Sequence, residues 1–157
     1  MKKCVPGFLA LCCAFSTAAA DRLVVAGGSL TELVYAIGAG SRVVGVDETT
    51  TFPPETAALP HIGYWKQLSS EGILSLHPDY FITWQDAGPA LVPEQLRAQS
   101  VKVLTLPRIP ATPGQMYANI ETLAAALGVQ QKGHALVSAL RQRLEDVAAR
   151  NAQRVPV

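Results

Sequence analysis

The sequence predicts an α/β fold: a Rossmann-like lobe with a mainly parallel sheet and flanking helices, followed by a long connector helix. Three observations predict it. Four short, mostly apolar runs recur at Leu23–Ala26, Val43–Val46, Tyr80–Trp84 and Val101–Leu106. Continuous apolar runs of this length suit strands covered on both faces. Helical patterns separate the runs, and strands alternating with helices imply βαβ units. Finally, an amphipathic stretch extends from about Gln131 to Ala152.

The first twenty residues read as an address. Lys2 and Lys3 precede an apolar run from Val5 to Phe15, and Ala18-Ala19-Ala20 forms a small-residue cleavage site. The run is too short to span a bilayer as a stable helix. Residues 1–20 are therefore expected to be a signal peptide, with the mature chain starting near Asp21, in the periplasm or outside the cell. Cys12 follows Leu9-Ala10-Leu11, only loosely a lipoprotein signal because the preceding residue is large, so no direct membrane anchor is expected. All three cysteines (Cys4, Cys12 and Cys13) lie in this leader, which excludes a disulfide or a thiolate metal site from the mature part. Two of the 13 basic residues also lie there, leaving 11 against 12 acidic ones. That balance argues against nucleic acid or an anionic membrane as partner.

Each helix carries its own signals. Ser29-Leu30-Thr31-Glu32 has the capping-box pattern, with Leu33 and Ile37 behind it and Gly38 and Gly40 as stops. Pro93 to Gln99 is a second helix. Thr112-Pro113 opens a third, with proline at its first position, running to Gly128. In the last helix Leu136, Leu140, Leu144 and Val147 recur every three or four residues. At 1.5 Å per residue it spans roughly 30 Å, about a lobe's width. A connector and an ordinary helix covering the sheet are both compatible with that length.

The segment PHIGYWKQLSSEGILSLHPDYFITWQDAGP, from Pro60 to Pro89, is the most informative. It places Tyr64 in an irregular Gly/Pro-rich run, inside a stretch of about twenty residues from Asp47 to Leu68 that lacks clear periodicity. Loops of that length in compact domains are usually functional or disordered. Lys66 stands two residues after Tyr64, and in an extended segment the two side chains would share a side. A nearby cation favours a phenolate, and phenolate oxygen is an axial ligand for haem iron. From the residues alone Tyr64 is either that ligand or an aromatic anchor packing the loop onto a core.

The residues Gly63, Tyr64, Lys66, Leu68, Ser69, Glu71 and Gly72 resemble the ligand-bearing segment of periplasmic haem-binding proteins that serve bacterial haem-uptake ABC transporters, within the cobalamin/siderophore-type periplasmic binding protein family. The upstream RLVVAGGSLTELVYAIGAGSRVVGVDETTTFPPE and the downstream DAGP fit the same pattern. One departure is visible: the cation two residues after the tyrosine is usually Arg, and here it is Lys66, which supplies charge but no planar fork.

The resemblance implies a non-enzymatic protein that captures ferric haem as cargo, with Tyr64 as axial iron ligand, and delivers it to an inner-membrane permease and its ATPase. Beyond the carboxyl ends of the strands, where open parallel sheets bind ligands, Trp65, Ile109 and Pro110 could wall a porphyrin and Lys66 and Arg108 could meet its propionates; a surface aromatic at Trp65 and a solvated charge at Arg108 are the alternative readings. The resemblance implies a permease-docking role for Glu71, which in any case complements a helix dipole in the first turn after Ser69. It also implies two lobes. Residues 21–128 would be the N-terminal lobe, 129–152 the interlobe connector, and 153–157 the start of a second lobe absent from this sequence. Vitamin B12 or a ferric siderophore is the same-fold alternative ligand, and a truncated, non-functional lobe is the other reading.

Other residues carry bland readings. Gly27-Gly28-Ser29 suits a tight strand-to-helix turn; it is neither G-x-G-x-x-G nor a Walker loop. His61, His77 and His134 read as surface histidines. Ser29, His61 and Asp86 are the only tempting hydrolytic set, but nothing in their spacing selects them and no G-x-S-x-G elbow is present.

Overall fold

Four parallel strands build the sheet: β1 (Leu23–Ala26), β2 (Val43–Val46), β3 (Tyr80–Trp84) and β4 (Lys102–Leu106), in the spatial order β2-β1-β3-β4. The structure, a computed structural model, describes residues 20–152. The predicted leader up to residue 19, with its cysteines, and the predicted start of a second lobe at 153–157 lie outside the described residues.

Alternation along the strands divides the core in two. Leu23 and Val25 on β1, with Ile82 and Trp84 on β3, face a cluster holding Leu30, Val34, Ile120 and Leu123. Those residues come from α1 (Gly28–Ala36) and α4 (Pro113–Ala126). Val24, Ala26 and Phe81 face the opposite cluster with Ile73, Val92 and Leu96, from α2 (Ser70–Leu74) and α3 (Val92–Ala98). The result is a three-layer α/β/α sandwich, whose parallel strands are apolar on both faces because both faces are covered.

Two predicted helix starts hold. Thr112 caps α4, its hydroxyl accepting from Gln115 N–H, and Ser69 caps α2, accepting from Gly72 N–H. The predicted capping box at Ser29 does not form. The cap of α1 is Gly27, and Ser29 lies inside the first turn. The reason is a competitor from another loop. Asp47, fully buried after β2, accepts from Gly27 N–H (3.0 Å), Thr50 Oγ1 (3.0 Å) and Thr49 Oγ1 (2.8 Å). Thr49 Oγ1 in turn accepts from Gly28 N–H at 2.9 Å. The first amides of α1 are thus met by a neighbouring carboxylate and hydroxyl rather than by a local serine.

The last helix, α5 (Gln130–Ala152), behaves as two halves. Its first half packs on α4, where Gly133 lies so close that an added Cβ would meet Ala124 Cβ at 2.4 Å. Val137 is buried, but every residue from Arg141 to Ala152 is exposed, including Leu144 and Val147. The 23 residues of the helix span roughly 35 Å. The expected apolar stripe is therefore covered over its first half only.

Replacing Asp47 with alanine should remove three hydrogen bonds and leave the Gly27 amide buried without its acceptor. The expected loss is about 3 kcal/mol of stability, read as a lower urea midpoint with unchanged slope. An unchanged midpoint would show that the α1 cap does not depend on this carboxylate.

Candidate functional site

Strand order reverses between β1 and β3, since the chain steps one way to β2 and the other way to β4. In open parallel sheets such a switch point leaves a crevice beyond the strands' carboxyl ends. Here the crevice is bounded by the turn after Ala26 and by Trp84, which packs so tightly on Gly27 that an added Cβ would meet Trp84 Nε1 at 2.6 Å.

The long segment after β2 is an excursion that returns. Val46 donates to Pro60 O (3.0 Å), Ile62 donates to Val46 O (2.9 Å), and Glu48 donates to Gly63 O (3.0 Å). The return leg thereby extends the sheet edge as a parallel bridge between Val46 and His61. Gly63 then adopts φ 87°, a left-handed conformation that suits glycine. A turn closes immediately after it, Gln67 N–H donating to Tyr64 O at 2.7 Å. This turn is pinned across the crevice onto the segment after β3: Gly88 N–H donates to Trp65 O (3.1 Å) and Leu68 N–H to Gly88 O (2.9 Å). Backbone passes backbone so closely that a Cβ on Gly88 would meet Lys66 O at 2.8 Å.

Three loops consequently meet on one side chain. Trp65 is half-buried and touches both core clusters. Tyr64 lies edge-on to it, ring centroids 5.9 Å apart at 64°, and is 40 % exposed. Lys66 Nζ sits 4.3 Å and the Arg108 guanidinium 5.4 Å from the Trp65 ring centre, both within cation–π range. Asp86 ties the two cations together, its Oδ2 accepting from Lys66 Nζ (3.0 Å) and from Arg108 Nη2 (2.7 Å). Lys66 also donates to the Asp86 backbone carbonyl.

Tyr64, Trp65, Lys66 and Arg108 are therefore brought together. The predicted reason for Lys66 is corrected, because residues 64–67 form a turn rather than an extended segment. Its ammonium binds Asp86, and no hydrogen bond joins it to the Tyr64 phenol among the described residues. The basicity of Arg108 is raised, first by its hydrogen bond to Asp86 and also by the charge of that carboxylate. Asp86 is the residue missed by sequence reasoning as part of this group. Its signal was present, since it follows β3 at the same strand-end edge. Ile109 and Phe52 are also well exposed here, 70 % and 57 %, on the loops after β4 and β2. Phe52, too, went unread, as an apolar residue in a Thr/Pro-rich run without period.

A groove of about 570 Å³ meets the cluster at Arg108 and is not lined by Tyr64, Trp65, Lys66 or Asp86. Trp84, Arg108, Pro110, Met116 and Leu144 contribute to its walls, so Arg108 belongs to both. Glu71 lies apart, exposed in the first turn of α2. His61, His77 and His134 are all exposed. No hydrogen bond joins Ser29, His61 and Asp86 to one another, and Asp86 is engaged with cations instead. No group of three or more potential metal-binding side chains of the His/Cys/Asp/Glu type occurs among the described residues. No helix among them is long and apolar enough to cross a membrane.

The hydrogen bond from Arg108, aided by that from Lys66, lowers the Asp86 pKa to about 2. A depressed carboxylate contributes stability above its unfolded pKa of roughly 4 and loses it as pH falls through the folded value. The ion pairs should hold at pH 4 and break towards pH 2. Because all three side chains are well exposed, the stabilisation is small. Carboxyl ¹³C titration should give a midpoint near 2 that climbs towards 4 in Arg108→Gln; equal midpoints in both proteins would refute the pairing.

Comparisons with known proteins agree with this architecture. A periplasmic heme binding protein from Pseudomonas aeruginosa superposes with a TM-score of 0.77 at 40% identity, over 87% of this chain and 50% of that one. The periplasmic heme-binding protein RhuT from Roseiflexus sp. RS-1 gives 0.78 at 39% identity, over 88% and 52%. The vitamin B12-binding protein of Yersinia pestis (strain Pestoides F) is 28% identical over 138 residues, 88% of this chain and 49% of that protein. The chain thus spans about half the length of the relatives it matches. With residues 23–156 matching the family described as "Periplasmic binding protein", the chain belongs to that family.

Proposed function

We propose that the chain is the ligand-binding N-terminal lobe of a periplasmic solute-binding protein for ferric haem, serving an inner-membrane ABC importer without catalysing a reaction. The observation that carries this reading is Tyr64, a phenol 40 % exposed, held in a turn edge-on to Trp65, the ring over which two cations lie. A porphyrin needs a metal ligand, apolar walls and partners for two carboxylates. Tyr64 offers the oxygen and Trp65 the wall, with Ile109 and Pro110 extending it. Lys66 and Arg108 offer the cations. Support also comes from the two heme-binding structures, which match at 40% and 39% identity. A periplasmic location is supported by the family.

A second reading, cobalamin, is favoured by the match to a vitamin B12-binding protein at 28% identity. Absorbance titration separates the two. Ferric haem should bind with a tyrosinate charge-transfer band, and Tyr64→Ala should lose that band and most of the affinity while keeping its fold by circular dichroism. Overlaid wild-type and mutant curves would remove Tyr64 as the ligand, and saturable cobalamin binding without haem binding would favour the second reading.

We infer a separate docking role for Glu71, since it is exposed, lies on α2 and makes no ion pair among the described residues. Glu71→Ala should leave the haem titration unchanged and slow uptake into vesicles carrying the importer. Unchanged uptake would assign Glu71 to the helix dipole alone.

A further inference from the structure

Asp86 occupies the middle of three loops, between Lys66 on the loop after β2 and Arg108 on the loop after β4. Two cations lie over the same indole ring, at 4.3 Å and 5.4 Å. Like charges so placed repel, and water would otherwise draw each long side chain outward. One oxygen of Asp86 bonds both, leaving a group with a net charge of one positive unit. The pairing also leaves donors to spare. Arg108 spends only Nη2 on Asp86, and its Nε and Nη1 make no hydrogen bond among the described residues. Lys66 is held a second time by the Asp86 carbonyl, so the same residue fixes it through both side chain and backbone.

We propose that Asp86 is a positioning residue that gathers Lys66 and Arg108 over Trp65 and thereby sets the preference of the site for ligands bearing free carboxylates. This rests on the haem reading above and adds to it a selectivity device on a residue that would not touch the iron. The carboxylate has two possible effects of opposite sign. It orders the cations, which favours a carboxylate ligand, and it competes for their charge, which disfavours one. The geometry points to ordering. Both contacts fall on a single oxygen, and the unused guanidinium N–H groups remain available to a bidentate partner.

The test compares ferric haem with ferric haem dimethyl ester, whose carboxylates are blocked, on the purified wild-type, Asp86→Ala and Asp86→Glu proteins. Wild type should prefer the free acid. Asp86→Ala should lose about fivefold of that preference, the scale of an exposed ion pair. Asp86→Glu should restore part of it. Acrylamide quenching of tryptophan fluorescence should rise in Asp86→Ala, because Trp65 loses its cation cover while Trp84 is buried. A preference unchanged in Asp86→Ala would overturn the inference, and a tighter free-acid complex would show that the carboxylate acts as a competitor. Wild-type protein that binds neither porphyrin would overturn the haem reading itself, and this inference with it.

Discussion

The buried carboxylate of Asp47 is the constraint on which the strand-end edge depends. It joins two segments that leave the sheet at different strands, the Gly27 turn after β1 and the threonine pair after β2. A buried carboxylate is costly unless its oxygens are bonded, and here three donors bond them. Fixing the first residues of the loop fixes its return as well, because Glu48 next door bonds Gly63 O. The phenol of Tyr64 is thus located by a short chain of hydrogen bonds that begins inside the core. A loop of this length would otherwise have no reason to settle in one place.

Much of the fold was legible. Leu23–Ala26, Val43–Val46 and Tyr80–Trp84 match β1, β2 and β3 at both ends because each apolar run is bounded by residues that cannot extend it. The fourth run overreached by one residue. Val101 is apolar and buried, yet its N–H bonds Leu96 O and closes α3 instead of joining the sheet. Ser29 shows the general limit. A capping box is a local pattern, and it lost to Asp47, eighteen positions away, which no local window weighs. The spacing argument for Lys66 is corrected for a related reason: a spacing of two places side chains together only in extended backbone, and the turn closed by Tyr64 and Gln67 is not extended.

The candidate site could be proposed from the sequence as a set of residues but not as an arrangement. Tyr64, Trp65, Lys66 and Arg108 were each found by type and by loop position. What organises them is Asp86, whose role requires knowing that the loops after β2, β3 and β4 converge. Gly88 carries the same lesson. In sequence it is one more loop glycine, but in the fold it is where two backbones pass within hydrogen-bonding distance. The departure from arginine at Lys66 also gains a physical meaning. A lysine reaches Asp86 as a point charge, and the planar fork beside Trp65 is supplied by Arg108 instead.

Exposure among the described residues is concentrated rather than scattered. Phe52, Tyr64, Leu91 and Ile109 all follow strand ends, and Leu144 and Val147 lie on the outer half of α5. Isolated surface hydrophobics need no explanation, but here four of them fall on the loops that follow the strand ends, the edge whose loops also carry Trp65, its cations and Asp86. For a planar ligand this edge provides one wall. Each face of such a plate removes apolar area from water at ~25 cal/mol per Å², so a ligand covered on one side gains only part of the available burial. Area does not convert directly into affinity, because ordering and desolvation costs intervene. Selectivity follows a different rule, since the oxygen donor and the gathered cations act at fixed positions whatever covers the opposite face. On the haem reading, this lobe therefore carries the choice of ligand, while the strength of binding depends on the second wall.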